Sequence, residues 1–397
     1  MRLIFAPDSF KGSLSSGEMC RILQQEARAV FPDAELLAVP MADGGEGTVD
    51  ALYTACGGYC GKLTVTGPEG TPVQAAYAVL PGGDAVMELA QCAGLPLMHS
   101  PDPMRATTLG AGEMLRHMMD AGAETVYIGL GGSATNDGGM GLLTALGARF
   151  YDAAGQLLSG GAADMCRVAR ADFSGMMDIP AKLRIIADVT NPLLGEHGAT
   201  YVYGPQKGAA GETLHALEAG MARYADLVEA ALGVSLRNRP GAGAAGGTGF
   251  ALLALGAEML PGTEAMLRLT GLAEKIPGAS LVVTGEGRLD AQSVRYGKVC
   301  GVIARLCADA GVPCCAIVGS MGEGAEAFLD LGNNSIMTLP DRPMTLEESM
   351  RDAERLYRSA ARRMFRLAGA LAGALPLHPG RGSAPTPREG LRPIDPS

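Results

Sequence analysis

Five glycine-rich polar loops recur along the chain, and each follows a short apolar run that is typical of a buried strand. This repetition, with helical patterns after several of the loops, favours an α/β protein with parallel sheets. In such sheets the loops at the carboxyl ends of the strands converge, and ligands bind at that edge. The loops occupy residues 8–12, 42–47, 129–139, 188–192 together with 204–208, and 284–290.

The beginning of the chain shows the pattern clearly. Residues 3–6 are apolar and predict a strand that ends at the first loop. Ser15 and Glu18 have the spacing of a capping box, so we predict a helix from there to about Phe31, before Pro32. A second strand at residues 36–39 then runs into the second glycine-rich loop and another helix. Two successive strand-loop-helix units indicate a parallel sheet.

The pattern of apolar runs and turn residues changes after residue 60. Residues 62–66, 73–79 and 85–89 alternate with Gly-Pro and Pro-Gly-Gly turns, which predicts antiparallel hairpins. We also predict strands at residues 125–130, 183–187 and 200–203, and helices at residues 109–121 and 212–232.

Strand-helix alternation returns at residues 280–284, 299–310 and 314–318. Because the two ends are alike, we predict a discontinuous Rossmann-like parallel-sheet domain (1–60 and 280–375) with an inserted mixed α/β domain (61–279). Residues 376–397 are rich in Pro, Gly and Ser without periodicity, which predicts a disordered tail.

Composition narrows the possible partners and compartments. A chain of 397 residues that is 47% hydrophobic can bury a large core. Its net charge of −10, without a basic stripe, argues against nucleic acid as a partner. The nine cysteines show no zinc or CxxC spacing, as expected of reduced thiols in a cytoplasmic protein. The first apolar run is too short for a signal peptide, and no apolar run has the length of a membrane span. We expect a monomer or homodimer.

The composition of the five loops indicates phosphate handling. Glycines allow backbone N–H groups to approach phosphate oxygens, and a following helix amino terminus adds favourable partial charge. Lys11, Lys207 and Lys298 each adjoin a glycine, and lysine is a common phosphate ligand. Acidic residues in the same loops could hold Mg²⁺. One such loop could be only a turn or a helix cap, but five with this charge content favour a phosphate site.

Common nucleotide-binding motifs are absent or misplaced. The sequence has no Walker A pattern and no protein-kinase signature. A GxGxxG pattern at Gly241, Gly243 and Gly246 follows Arg239-Pro240 instead of a strand, which makes it a weak dinucleotide fingerprint. An NAD-dependent oxidoreductase and a non-catalytic binding protein for sugar acids or nucleotides are the alternative hypotheses at this point.

The loops also match a known set of motifs in order along nearly the whole chain before the tail. These motifs are APDSFKGSLS at residues 6–15, ADGGEGT at 42–48, GGSATNDGG at 131–139, DVTNPL at 188–193, GPQKGA at 204–209, GAGAAGG at 241–247 and TGEGRLD at 284–290. Together they resemble the type I glycerate kinase family. Two segments depart from the family pattern. Leu109 stands where an aromatic residue is usual, and residues 290–298 contain Ser293 in place of Thr and one extra residue.

The resemblance implies an enzyme that transfers the γ-phosphoryl group of ATP to D-glycerate. It implies ATP and Mg²⁺ as cofactors, 2-phospho-D-glycerate as the product, and a site in the cleft between two domains. A 3-phosphoglycerate product, or another hydroxy acid as the acceptor, remains an alternative. The departures from the family pattern bear on substrate preference and not on the reaction class.

Candidate site residues come from the same loops. We expect Asp43 and Asp188 to bind Mg²⁺ or to act as the base, and Lys11 and Lys207 to bind phosphate or the substrate carboxylate. Arg288 could form a bidentate clamp on that carboxylate. Further candidates are the catalytic residues Asn136 and Asp137 and the binding residues Ser9, Glu286, Gly131, Gly132 and Ser133.

Overall fold

The computed structural model describes residues 1–295 and 297–373, so the predicted tail lies outside the described residues. The strands are β1 (Arg2–Pro7), β2 (Glu35–Ala38), β3 (Tyr59–Thr66), β4 (Pro72–Val79), β5 (Ala85–Glu88), β6 (Thr125–Gly129), β7 (Arg149–Tyr151), β8 (Arg170–Asp172), β9 (Lys182–Ile186), β10 (Glu258–Leu260), β11 (Leu281–Gly285), β12 (Arg288–Leu289), β13 (Cys314–Val318), β14 (Ser320–Met321) and β15 (Asn334–Thr338).

Helices cover or connect these strands. The α-helices are α1 (Ser16–Arg28), α2 (Thr48–Cys56), α3 (Ala90–Ala93), α4 (Leu109–Asp120), α5 (Met140–Ala145), α6 (Ala162–Met165), α7 (Ala199–Tyr203), α8 (Glu212–Leu232), α9 (Ala244–Ala254), α10 (Gly262–Thr270), α11 (Leu272–Lys275), α12 (Ala291–Arg295), α13 (Val299–Asp309), α14 (Leu346–Arg351) and α15 (Ala353–Leu371). Short 3₁₀ helices occupy Leu95–Leu97, Pro205–Lys207 and Ala325–Leu331.

The first sheet combines strands from both ends of the chain. Its order is β15-β13-β11-β1-β2, and all four pairings are parallel. Leu3 and Phe5 in β1 pack toward α1 and α15, whereas Ile4 and Ala6 pack toward the opposite face. A strand buried on both faces must be apolar at successive positions, which explains the uninterrupted run at the start of the chain.

The second sheet is mixed and lies within the middle of the chain. Its order is β10-β9-β6-β5-β4-β3. The pairs β3–β4 and β4–β5 are antiparallel, as the turn signals predict, and the pairs from β5 to β10 are parallel. The structure thus confirms the predicted fold class, a parallel Rossmann-like sheet built from both chain ends and an inserted mixed α/β part. The domain boundaries remain a prediction.

Several local predictions are confirmed and one is wrong. Ser15 accepts the Glu18 amide and Glu18 reaches back to Ser15, which is the predicted capping box at the start of α1. The predicted strand at residues 200–203 is instead α7. Its aromatic and β-branched residues favour a strand, but packing of α7 against α8 and α9 overrides that preference. The buried hydroxyl of Thr200 accepts a hydrogen bond from the Asn136 side chain at 3.1 Å.

One hydrophobic cluster joins the two sheets. It contains Ile4 and Val282 from the first sheet together with Val86, Tyr127 and Ile186 from the second. Within residues 1–295 and 297–373, none of the helices has both the length and the apolar character that a membrane span requires.

Candidate active site

The carboxyl-terminal edges of the two sheets face a shared cleft of about 1610 Å³. In the first sheet the chain leaves β1 toward β2 on one side and leaves β11 toward β13 on the other. The loops after β1 and β11 therefore diverge at a topological switch point, which is where open α/β sheets bind ligands. Across the cleft, the loop after β9 and the start of α10 supply the opposite wall.

The two edges come into contact through the second glycine-rich loop. Gly44 has a φ of +87°, and a Cβ atom there would lie 2.1 Å from the Ile186 carbonyl oxygen at the end of β9. Only glycine permits both this backbone conformation and this approach. The Gly131 amide also donates to the Gly44 carbonyl at 3.0 Å. This contact places Asp43 beside the second sheet.

Lys11 and Asp43 form an ion pair in the cleft, with Nζ 2.9 Å from Oδ2. Burial alone would raise the pKa of the Asp43 carboxyl, but the Lys11 ammonium and the Gly45 amide hold that pKa below its usual value. Asp43 is therefore a stable anion at neutral pH, and Lys11 is held at the mouth of the cleft with its side chain largely exposed.

Asp188 faces this pair from the second sheet. Its Oδ1 accepts the Gly262 amide at 2.7 Å, which fixes the carboxyl group at the start of α10. Burial raises the pKa of Asp188, and the negative charge of Asp43 raises it further. Mutual repulsion between two carboxylates is relieved when a cation lies between them.

Asp8 ends β1 in the same cleft. Burial raises the pKa of its carboxyl to about 7, and the negative charge of Asp43 adds to the effect. The Ser9 amide, which donates to Oδ1 at 2.7 Å, and the Lys11 ammonium act in the opposite direction. Asp8 can therefore exchange a proton near neutral pH.

The loops of the first sheet also bring basic and acidic groups from the carboxyl-terminal half of the chain. Glu286, Arg288 and Lys298 line the cleft. Burial raises the pKa of Glu286, whose Oε1 has no hydrogen-bond partner among the described residues. Six predicted site residues thus share one cleft, namely Ser9, Lys11, Asp43, Asp188, Glu286 and Arg288.

The other predicted residues are not among those that line this cleft. Lys207 is 2% exposed, and its Nζ donates to the Ser133 hydroxyl at 2.9 Å and to the Thr135 carbonyl at 2.7 Å. Burial lowers the pKa of Lys207 to about 7. Lys207 therefore joins the 204–208 loop to the 129–139 loop inside the protein.

Asn136 and Asp137 are also buried. The Asp137 carboxylate accepts the Thr108 amide and hydroxyl, each at 2.8 Å, and the Gly139 amide at 3.0 Å. These bonds fix the loop that precedes α5. Gly131 and Gly132 lie at the start of that loop, where Gly131 contacts the Asp43 loop through Gly44.

Two cleft residues were not assigned from the sequence. Asp8 stands in the first predicted loop, and Lys298 adjoins Gly297. The sequence therefore indicates that both residues lie in loops. Nothing in the sequence, however, showed that Asp8 would be buried beside Asp43, or that Lys298 would begin a helix facing the cleft.

The donor set can be tested against Mg²⁺. In the part of the chain that the structure describes, no three His, Cys, Asp or Glu side chains form a metal cluster. Mg²⁺ in phosphoryl-transfer enzymes is commonly held by one or two carboxylates together with phosphate and water. Asp43 and Asp188 repel one another across the cleft, and they supply the two carboxylates that such a Mg²⁺ site requires.

The fold is that of an α/β enzyme, and its candidate site lies between the edges of two sheets. Residues 3–369 match the model of the glycerate kinase family, and the chain belongs to that family. It is 40% identical over 368 residues to a glycerate kinase of Halalkalibacterium halodurans, covering 91% of this chain and 96% of that one. It is 39% identical over 360 residues to the glycerate 2-kinase of Escherichia coli, covering 89% and 94%.

A solved structure shows the same architecture. A crystal structure assigned to glycerate kinase 2 of Salmonella typhimurium superposes with a TM-score of 0.80 at 37% identity. The match covers 94% of this chain and 99% of that chain. The family resemblance read from the loops is thus confirmed.

Proposed function

We propose that this chain transfers the γ-phosphoryl group of ATP to the 2-hydroxyl of D-glycerate and releases 2-phospho-D-glycerate. The observation that carries the proposal is the cleft itself, which gathers Lys11, Asp43, Asp188 and Arg288 from four separate loops in a member of the glycerate kinase family. The name of the Escherichia coli relative, glycerate 2-kinase, supports the choice of the 2-hydroxyl.

Phosphoryl transfer depends on positioning and on charge neutralisation more than on covalent catalysis. Lys11 can move from Asp43 toward a transferring phosphoryl group because its side chain is largely exposed. Arg288 is exposed at the cleft and can bind the glycerate carboxylate with two parallel hydrogen bonds. Asp8, with a pKa near 7, can accept the proton of the attacking hydroxyl.

Asp43 and Asp188 would hold Mg²⁺, which neutralises charge on the phosphates when it is bound. Each carboxylate is oriented by a backbone amide, that of Gly45 for Asp43 at 3.0 Å and that of Gly262 for Asp188 at 2.7 Å. Oriented carboxylates lose little entropy when a cation binds, which favours the metal at this position.

The same proposal places the reaction in the cytoplasm, with ATP and D-glycerate as small-molecule partners, no nucleic acid or membrane partner, and a monomer or homodimer as the active form. The nine cysteines are free thiols, as a reducing compartment would maintain them.

A coupled assay tests the function and the position of transfer together. The purified protein is incubated with ATP, Mg²⁺ and D-glycerate, and the product is coupled to enolase and pyruvate kinase without phosphoglycerate mutase. Enolase accepts 2-phosphoglycerate directly, so we expect a signal without mutase. A signal that required mutase would assign the 3-hydroxyl. No signal in either format from folded protein would exclude glycerate, and other hydroxy acids would be tested next.

A further inference from the structure

The amino terminus of α13 opens into the cleft without a side-chain cap. The helix runs over Val299–Asp309, and its N-cap residue Lys298 has an extended backbone and makes no side-chain capping bond. By contrast, α1 begins at the same edge of the sheet, but its amino terminus is closed by the Ser15–Glu18 capping box. Uncapped N–H groups at a helix start bind anions, and a lysine at the N-cap adds a full positive charge.

A second, independent group lies in the same part of the cleft. Glu286 is only 9% exposed, and its Oε1 has no partner in the part of the chain that the structure describes. Burial raises the pKa of this carboxyl group, while the Ser293 side chain, the Lys298 ammonium and the Cys300 side chain all act to lower it. A buried polar atom without a partner is costly unless a ligand, ion or water satisfies it. A carboxylate beside a lysine and a helix amino terminus suits a ligand that brings both a cation and phosphates.

The wall next to Lys298 is apolar. Val299 and Val302 follow Lys298 on α13 and line the cleft, and Leu267 lines it from α10. Val299 belongs to a buried hydrophobic cluster, and the partly buried Leu267 packs against that cluster. A three-carbon hydroxy acid has no apolar surface that could use this wall, whereas the base and ribose of a nucleotide do.

Lys11, the other lysine of the cleft, already forms an ion pair. Lys11 pairs with Asp43 at 2.9 Å, whereas Lys298 forms no ion pair with the other residues of 1–295 and 297–373. The two lysines therefore lie in different surroundings, Lys11 beside Asp43 and Asp188, and Lys298 beside Glu286 and an apolar wall.

We propose that Lys298 and the first turn of α13 bind the phosphates of Mg²⁺-ATP, whose cation Asp43 and Asp188 would hold, with Glu286 lining this subsite and with Val299, Val302 and Leu267 contacting the adenosine. This inference rests on ATP as the donor in the proposed function, and it leaves the Lys11 side of the cleft to the acceptor and the transferring phosphoryl group.

Isothermal titration calorimetry on the full chain tests the proposal. The titrants are the non-hydrolysable analogue AMPPNP with Mg²⁺, adenosine, and D-glycerate, each measured separately. We expect Lys298→Met to weaken AMPPNP by about tenfold or more and to leave adenosine and glycerate unchanged, because a charge-assisted contact to phosphate is lost. Val302→Asp should weaken both AMPPNP and adenosine. Lys62→Met, on an exposed position of β3, is the matched control.

The other outcomes distinguish a failure of this inference from a failure of the proposed function. Unchanged AMPPNP affinity in Lys298→Met would remove Lys298 from the nucleotide site, and a loss confined to glycerate would make Lys298 a ligand of the acceptor. No nucleotide binding by the unmodified chain would overturn the subsite and the proposed donor together. If Lys298→Met weakens AMPPNP but the chain does not phosphorylate glycerate, the subsite stands and only the acceptor assignment fails.

Discussion

At the scale of single residues, the cleft is a set of charges that balance one another. Lys11 neutralises Asp43, and the Gly262 amide orients Asp188. Among the described residues Asp8 forms no ion pair, and burial raises its pKa to about 7, so its protonation changes near neutral pH. The chemistry of the site therefore depends on a few short-range contacts that single substitutions can remove.

Removing Lys11 or Asp188 should lower the rate with little effect on folding. We expect Lys11→Ala and Asp188→Ala each to reduce kcat by roughly two orders of magnitude or more, as is typical when a charge-stabilising group is lost. Steady-state kinetics on variants with wild-type circular dichroism would measure this effect. Lys182→Ala, at the exposed start of β9, serves as the control. Near-normal turnover in either variant would remove that residue from the site.

Asp8 should make stability depend on pH. Its folded pKa of about 7 lies above the ordinary aspartate value of 3.8, so between these values the folded state retains a proton that the unfolded state has lost. The contribution of Asp8 to the free energy of unfolding therefore falls as pH rises from about 4 to about 7, and the loss is complete above that range. Asp8→Asn removes the titration.

The free energy of unfolding of Asp8→Asn, relative to the unmodified chain, should therefore increase between pH 4 and pH 8 by on the order of 4 kcal/mol. Urea denaturation with EDTA present would measure it, and exposed Asp33→Asn provides the comparison. A difference that stays constant with pH would contradict the burial of Asp8.

At the scale of elements, glycine-rich loops on the second sheet hold one another in place. The Gly138 amide donates to the Gly246 carbonyl at 3.0 Å, which joins the loop before α5 to the first turn of α9. Gly246 has a φ of +66°, and a Cβ atom there would lie 1.9 Å from the Thr135 carbonyl oxygen. This junction has no room for a side chain.

Gly246→Ala should therefore destabilise the protein strongly. We expect a loss of roughly 3 kcal/mol or more, because backbone strain and a steric clash act together. Gly256→Ala is a matched control, since Gly256 has a φ of +83° but no other atom within 4 Å of the added Cβ. That control should cost only about 1–2 kcal/mol. Equal losses for the two variants in denaturant titrations would show that the contact with Thr135 contributes nothing.

The sequence predicts elements well where one physical signal dominates. The capping box at Ser15 and the apolar run of β1 are local signals, and both predictions are confirmed. The prediction for α7 fails because its residues favour a strand in isolation, and only packing against α8 and α9 makes them helical.

Part of the candidate site was also predictable from the sequence. Loops that end strands of the first sheet were predicted to converge, and Lys11, Asp43 and Glu286 do lie in one cleft. Lys207 has the same sequence context beside a glycine, but it is buried. Whether a loop lysine faces solvent or the interior depends on tertiary packing, which the local sequence does not encode.

At the scale of the whole molecule, the cleft requires both sheets. Asp8, Asp43 and Glu286 come from the first sheet and Asp188 from the second, so a ligand that contacts all of them bridges the two edges and can draw them closer together. Closure of this kind excludes water and limits wasteful hydrolysis of ATP.

Hydrogen exchange should detect closure on both sides of the cleft. With AMPPNP, Mg²⁺ and D-glycerate together, we expect slower amide exchange in the loops after β1 and β2 and also in the loop after β9. The helix α8, which does not line the cleft, is the internal reference. Protection confined to one sheet would show that the ligands bind without bringing the edges together.

The position of β1 has a consequence during synthesis on the ribosome. β1 lies between β2 and β11, yet β11 begins only at Leu281. All six strands of the second sheet precede β11 in the chain and leave the ribosome before it. They can therefore pair while the edge of β1 that will bind β11 is still open. At usual translation speeds this interval lasts on the order of ten seconds or more. An open apolar strand edge attracts other chains during that time, so we expect the nascent protein to depend on chaperones more than its finished stability would indicate.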